Sequence, residues 1–199
     1  LDDRIGPKFL RAGLGYGGGC LPKDIRGLIS RAEELGVGEV FTFLREIDRV
    51  NLGQRSRFIS QIISSLGGDV HGKRIGVWGA AFKPDSDDVR DSPALAVARR
   101  LIELGAEVRV YDPAVSAEII RTALGTDSSE SATEAVIGAD ALAVVTEWSE
   151  FRNCDPGRMA ALARRQLVFD GRNCLEADRW RAAGWTVVQM GVTAGNAVG

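Results

Sequence analysis

The sequence predicts an α/β protein. A glycine-rich loop and a helical segment with a long connecting helix come first, and a doubly wound parallel sheet of about five strands follows. Three observations carry this. Apolar residues from Ile25 to Leu66 recur at helical spacing. Glycines at 67, 68 and 72 then interrupt the pattern. Beyond them short apolar runs alternate with helical segments as far as Gln189, and such alternation places helices on both faces of a parallel sheet. The break divides the chain into residues 1–72 and residues 73–199.

Taken in order, Leu1 to Gly19 reads as loop. Ile25, Leu28, Ile29, Ala32 and Leu35 mark a first helix, with Pro22 suited to a first helical turn. After Gly36 and Gly38, the apolar positions Val40, Leu44, Ile47 and Val50, then Phe58, Ile59, Ile62, Ile63 and Leu66, predict one long helix from Glu39 to Leu66. It would span roughly 40 Å, more than a compact domain requires, and long amphipathic helices often serve as connectors or oligomer seams. The strands expected next are Arg74–Trp78, Glu107–Tyr111, Ala141–Val145, Gln166–Phe169 and Thr186–Gln189. Helices are expected at Pro93–Leu104, with Ser92 as N-cap, and near Ser116–Leu124, Ser131–Ile137, Pro156–Arg164 and Glu176–Ala183.

Composition narrows the function classes. Apolar residues make up 45% and the net charge is -2, which supports an ordinary core and gives no sign of nucleic acid or an anionic membrane as partner. No apolar run reaches the length of a membrane span. Three cysteines, an odd number without metal-ligand spacing, fit a reduced cytoplasmic chain, and no metal site is expected. His71, the single histidine, sits in a Gly-flanked connector, so no histidine-dependent triad is expected.

The chemistry concentrates between Gly13 and Asp24, Gly-Leu-Gly-Tyr-Gly-Gly-Gly-Cys-Leu-Pro-Lys-Asp. Cys20 stands just before a helix start, where the dipole and free N–H groups favour a thiolate. Glycines before it would let a ligand approach the backbone. Lys23 adds positive charge, and Asp24, four residues on, is placed to orient or deprotonate a water. This is the pattern of an activated nucleophile beside a carboxylate. Gly13, Gly15 and Gly18 formally meet the G-x-G-x-x-G spacing of a dinucleotide fingerprint. They lack the preceding strand, and the acids at the right distance, Glu33 and Glu34, fall inside a helix.

Gly15 to Asp24 resembles the active-site signature of the UDP-glucose/GDP-mannose dehydrogenase family, Gly-Phe-Gly-Gly-Ser-Cys-Phe-Pro-Lys-Asp, with Gly19 where serine is usual. Phe82-Lys83-Pro84-Asp85-Ser86-Asp87-Asp88-Val89-Arg90-Asp91-Ser92-Pro93 is similar to the family's second signature, Phe-Lys-Pro-Asp-Thr-Asp-Asp-x-Arg-x-Ser-Pro. The resemblance implies a Rossmann-like fold for the sheet domain and a long helix that builds a homodimer. It implies Cys20 and Asp24 as catalytic residues. A nucleotide sugar would be held by Arg4 (reaching into the neighbouring subunit), Phe9, Leu10, Arg11, Gly15, Gly17, Phe82, Lys83 and Arg172. Cys20, Lys23 and Arg90 would meet NAD. Asp112, at the end of the second strand, is either a ribose ligand or a structural cap.

The implied reaction is the two-step NAD-dependent oxidation of a sugar C6 alcohol, UDP-glucose to UDP-glucuronate, through a Cys20 thiohemiacetal and thioester. The Arg4-Ile5-Gly6 and Lys8-Phe9-Leu10 context looks like the glucose-oxidising members. GDP-mannose, another UDP-sugar, or a non-catalytic nucleotide-sugar-binding module are the alternatives. The family's N-terminal dinucleotide-binding domain has no counterpart in these residues. The chain therefore reads as a C-terminal portion, expected to bind a UDP-sugar and not to transfer hydride alone.

Overall fold

The computed structural model describes residues 11–192. Helix α1 (Leu21–Glu34) starts one turn before the periodic apolar residues, because Pro22 already has helical φ in its first turn. It ends in a Schellman motif: Val37 N–H donates to Ala32 O (2.9 Å), Gly36 N–H to Glu33 O (3.0 Å), and Gly36 has φ +74°.

The single helix expected from Glu39 is instead a 3-10 turn, Gly38–Phe41, followed by α2 (Thr42–Ser65). The tight turn lets the chain double back after Gly36, and the Thr42 hydroxyl donates to Glu39 O (3.1 Å) at the junction. A second Schellman motif at Gly67 and Gly68 closes α2. The two halves of α2 differ. Its C-terminal half buries Phe58, Ile59 and Ile62, with the Phe58 ring edge-on to Phe169 at 6.2 Å. Its N-terminal half leaves Phe43, Ile47 and Val50 exposed.

The sheet follows with strands β1 (Arg74–Trp78), β2 (Glu107–Tyr111), β3 (Ala141–Val144), β4 (Leu167–Asp170) and β5 (Thr186–Gln189). All pairings are parallel, in the order β2-β1-β3-β4-β5. β3 and β4 are buried throughout, as central parallel strands covered on both faces must be. The connecting helices are α3 (Pro93–Glu103), α4 (Ala117–Leu124), α5 (Ala132–Val136), α6 (Ser149–Asn153), α7 (Pro156–Leu162) and α8 (Ala177–Ala182). Helix α6 was not expected. Its N-cap position, Trp148, makes no side-chain capping bond, whereas Ser131 caps the equally short α5, and α6 seats Phe151 against Trp78, ring centroids 5.1 Å apart. Trp180 and Trp185 extend this aromatic cluster. No helix among the described residues is long and apolar enough to cross a membrane.

In this strand order the winding reverses between β1 and β3, so the crevice that such sheets offer to ligands lies outside the carboxyl ends of those two strands. The loops leaving them bear Phe82 and Glu147, and Arg172 follows β4 on the same edge.

Candidate active site

Arg172 lies across that crevice. Its Nε donates to Val145 O (2.9 Å), its Nη1 to Gly15 O (2.9 Å) and its Nη2 to Phe82 O (3.4 Å), with the Glu147 carboxylate 3.4 Å from Nε. Burial pushes its pKa down and the Glu147 charge partly restores it. One guanidinium thus ties the glycine loop to the loops after β1 and β3. All three of its nitrogens serve protein carbonyls, though each Nη keeps a second N–H. The expectation of a side chain committed to substrate is corrected to that extent.

Of the two readings of Asp112, the structure selects the structural one. It is buried, its Oδ2 accepts from Ala80 N (2.7 Å), Ala81 N (3.0 Å) and Trp148 Nε1 (3.1 Å), and its Oδ1 accepts from Ala114 N and Val115 N. With five donors on two oxygens, no lone pair faces a ribose. It is a structural cap for the turn after β1.

The glycine loop is laid on the Phe82–Asp91 loop. A Cβ at Gly17 would strike Asp91 O, one at Gly18 (φ +90°) the Phe82 ring, and one at Gly15 (φ +87°) the Asn51 amide. Gly18 N–H donates to Arg90 O (3.0 Å), and Leu14 N–H to Gly171 O (2.9 Å). The missing side chains are spent on close approach of protein to protein.

Helix α2 braces this double loop. Asn51 accepts from Tyr16 N–H (2.8 Å) and donates to Tyr16 O (3.1 Å). Arg55 pairs with Asp91 (3.1 Å) and reaches Tyr16 O (3.3 Å). From α1, Arg26 bridges Asp48 (3.2 Å) and Asp91 (2.8 Å). The hydrogen bond to Asp48 is the main cause of a raised Arg26 pKa. The Tyr16 hydroxyl is buried without a partner among the described residues, and burial chiefly raises its pKa. Sequence reasoning missed Asn51, Arg55 and Asp91. The available signal was polar residues at positions 51 and 55 on the stripe that continues as Phe58, Ile59 and Ile62.

Cys20 is exposed at the N-cap of α1, with no side-chain capping bond. Asp24 N–H donates to Cys20 O (2.9 Å), and the Asp24 carboxylate meets Lys23 at 3.3 Å, both exposed. A cavity of about 470 Å³ is lined by the residues flanking Cys20, namely Gly18, Gly19, Pro22 and Lys23, together with Arg26, Arg90 and Asp91. Arg90 grips Asp88 in a fork (2.7 Å at the shortest) and packs over Gly19. Asp88 raises the Arg90 pKa most, and Cys20 adds a smaller contribution. The structure therefore gathers Cys20, Lys23 and Arg90 at one place. Lys83 is exposed, its Nζ 5.6 Å from the Phe82 ring centroid, and Arg11 is exposed. Arg4, Phe9 and Leu10 lie outside the described residues. Among those described, no cluster could hold a metal ion. Cys154 and Cys174 are half-buried, and burial pushes Cys154 up to about 12 and Cys174 upward.

Comparison with known proteins gives this geometry a family. The central-domain profile of the UDP-glucose/GDP-mannose dehydrogenase family matches residues 1–52, and the profile of its UDP binding domain matches residues 76–177. UDP-glucose 6-dehydrogenase 2 of Oryza sativa subsp. japonica is 37% identical across 96% of this chain and 44% of its own length. UDP-glucose 6-dehydrogenase YwqF of Bacillus subtilis (strain 168) is 38% identical across 96% and 43%. The solved structure of a UDP-glucose dehydrogenase from Pyrobaculum islandicum superposes with a TM-score of 0.75 at 33% identity, covering 96% of this chain and 41% of that one. The chain spans less than half the length of these relatives.

Proposed function

Because the chain belongs to the UDP-glucose/GDP-mannose dehydrogenase family, we propose that it is the cysteine-bearing portion of an NAD-dependent enzyme that oxidises the C6 alcohol of a nucleotide sugar, UDP-glucose first, to the carboxylate. The observation that carries this reading is the seat of Cys20. It is exposed, heads a helix, and is flanked by a cavity whose lining includes Lys23, Arg26 and Arg90.

In this reading the Cys20 sulfur adds to the sugar aldehyde and forms a thiohemiacetal. Once that is oxidised to a thioester, water attacks the acyl carbon and the thiolate leaves. Asp24, one helical turn on, takes the proton of the attacking water. Lys23 and Arg90 would meet NAD, which when bound would supply the oxidant for the two hydride transfers. Phe82, Lys83 and the main chain at Gly15 and Gly17 hold the nucleotide sugar, joined by Arg4, Phe9, Leu10 and Arg11. Arg172 fixes Gly15 and Phe82 and offers its spare N–H groups.

Residues 73–199 serve as the nucleotide-sugar-binding part. Residues 1–72 supply the cysteine loop and, through the exposed apolar face of α2, a homodimer seam. A reducing cytoplasm suits the free thiols. The sheet itself does not bind NAD in this reading, since the turn after β1 has no dinucleotide fingerprint, Asp112 is saturated and Arg172 lies over the switch point.

Calorimetric titration of the 199-residue chain with UDP, UDP-glucose, GDP and NAD tests this. UDP and UDP-glucose should bind, NAD should not, and the chain alone should not turn over UDP-glucose. Binding of NAD without UDP would reverse the assignment. Binding of GDP in place of UDP would move the substrate to GDP-mannose.

A further inference from the structure

We propose that Asn51 and Arg55 of α2 are positioning residues for Cys20, acting through the main chain of Tyr16 and through Asp91. The inference rests on Cys20 being the nucleophile and goes beyond it by naming what holds the nucleophile in place.

Between Tyr16 and Cys20 stand only Gly17, Gly18 and Gly19. Three glycines have no side chains with which to anchor themselves and the widest backbone freedom of any residue. The position of Cys20 is therefore set by what grips the ends of that run. At the far end is the first turn of α1. At the near end, Asn51 mimics a peptide group and takes both the N–H and the carbonyl of Tyr16, at 2.8 and 3.1 Å. Arg55 adds a third bond to the same carbonyl at 3.3 Å.

Arg55 also holds Asp91 by both terminal nitrogens, at 3.2 and 3.1 Å. Asp91 has φ +45°, a strained conformation that a non-glycine residue keeps only where its surroundings impose it. Its carbonyl is the floor under Gly17, and the neighbouring Arg90 carbonyl takes the Gly18 N–H. Both sides of the double loop are thus fastened to one buried face of α2. Burying an amide and a guanidinium on a helix stripe that otherwise carries Phe58, Ile59 and Ile62 is unfavourable unless each is bonded. Their partners here are the loop.

The test is the rate at which iodoacetamide alkylates Cys20, followed by peptide mapping in the native chain and in urea. Asn51→Ala, Arg55→Lys and Phe58→Leu are compared with the unsubstituted chain, and each thermal midpoint is recorded. Unsubstituted Cys20 should react at a different rate folded than unfolded. Asn51→Ala and Arg55→Lys should each move the folded rate at least about threefold toward the unfolded value, because small displacements of a reacting group carry large rate penalties. Phe58→Leu loosens the same helix from the core. It should lower the midpoint and leave the Cys20 rate unchanged.

If Asn51→Ala does not fold, Asn51→Asp, which keeps the acceptor for Tyr16 N–H, and Arg55→Lys decide the matter. Folded variants with unaltered Cys20 rates, or a Phe58→Leu effect as large as theirs, would overturn the positioning role and leave the nucleophile standing. Equal folded and unfolded rates in the unsubstituted chain would instead overturn the nucleophile reading and this inference with it.

Discussion

Arg172 carries a guanidinium into a place where 12% of its side chain meets solvent. A charge so buried is tolerated only when its donors are matched, and here three carbonyls and Glu147 match them. Arg172→Met would leave those carbonyls and Glu147 facing an apolar side chain, at a cost of about 3–5 kcal/mol. Arg172→Lys should fall between the two, because one ammonium cannot span acceptors spread over three loops. Urea unfolding followed by tryptophan fluorescence would measure both, and a loss under about 1 kcal/mol for Arg172→Met would contradict the bracket role. The sequence places an arginine after β4 on the ligand edge but cannot reveal this role, since its partner Gly15 is 157 residues away. Asp112 teaches the same lesson in reverse. Its position at a strand end reads equally as a ribose ligand or a structural cap, and only its buried donors decide between them. The helix start at Cys20 was legible because helix N-terminal geometry is local and Pro22 marks it in the chain.

At the scale of elements, what the sequence specified locally it specified well. Each of the five strands was expected within a residue or two of its place, because buried parallel strands leave continuous apolar runs. Ser92 caps α3 as expected, its Oγ accepting from Leu95 N (3.3 Å), and it does a second job that was not legible: it donates to Ala80 O at 2.6 Å. That bond ties the start of α3 to the first turn of the loop after β1, the loop on which the glycines rest. Ser92→Ala should therefore cost about 1–2 kcal/mol, at the upper end for a cap, read as a lower thermal midpoint. Ser92→Thr should recover most of it. A midpoint unchanged by Ser92→Ala would mean that neither bond matters. The 3-10 turn before α2 stayed hidden because it is too short to generate a period, and α6 because, unlike the equally short α5 with Ser131 at its N-cap, it has no capping side chain to announce it.

Across the whole molecule, α2 performs two tasks in sequence, and its apolar pattern does not distinguish them. Val40, Leu44, Ile47 and Val50 look as core-forming as Phe58, Ile59 and Ile62, yet only the latter three are buried in the chain. Leu28, Leu35 and Val37, on and just after α1, are exposed as well, so among the described residues the helical hairpin leaves several large apolar side chains uncovered. Apolar surface of this kind is seldom left to water in a stable protein, and with a net charge of -2 there is little long-range repulsion between copies. We therefore expect light scattering to give twice the 21.3 kDa of one chain. Phe43 and Ile47, one turn apart on the exposed stripe, are the residues to test. Phe43→Asp with Ile47→Asp should return the mass to that of a single chain while far-ultraviolet circular dichroism stays unchanged, because the fold is held by the other half of α2 through Phe58 and Ile62. A single-chain mass before any substitution would remove the homodimer from the proposal and leave the apolar face to a different partner.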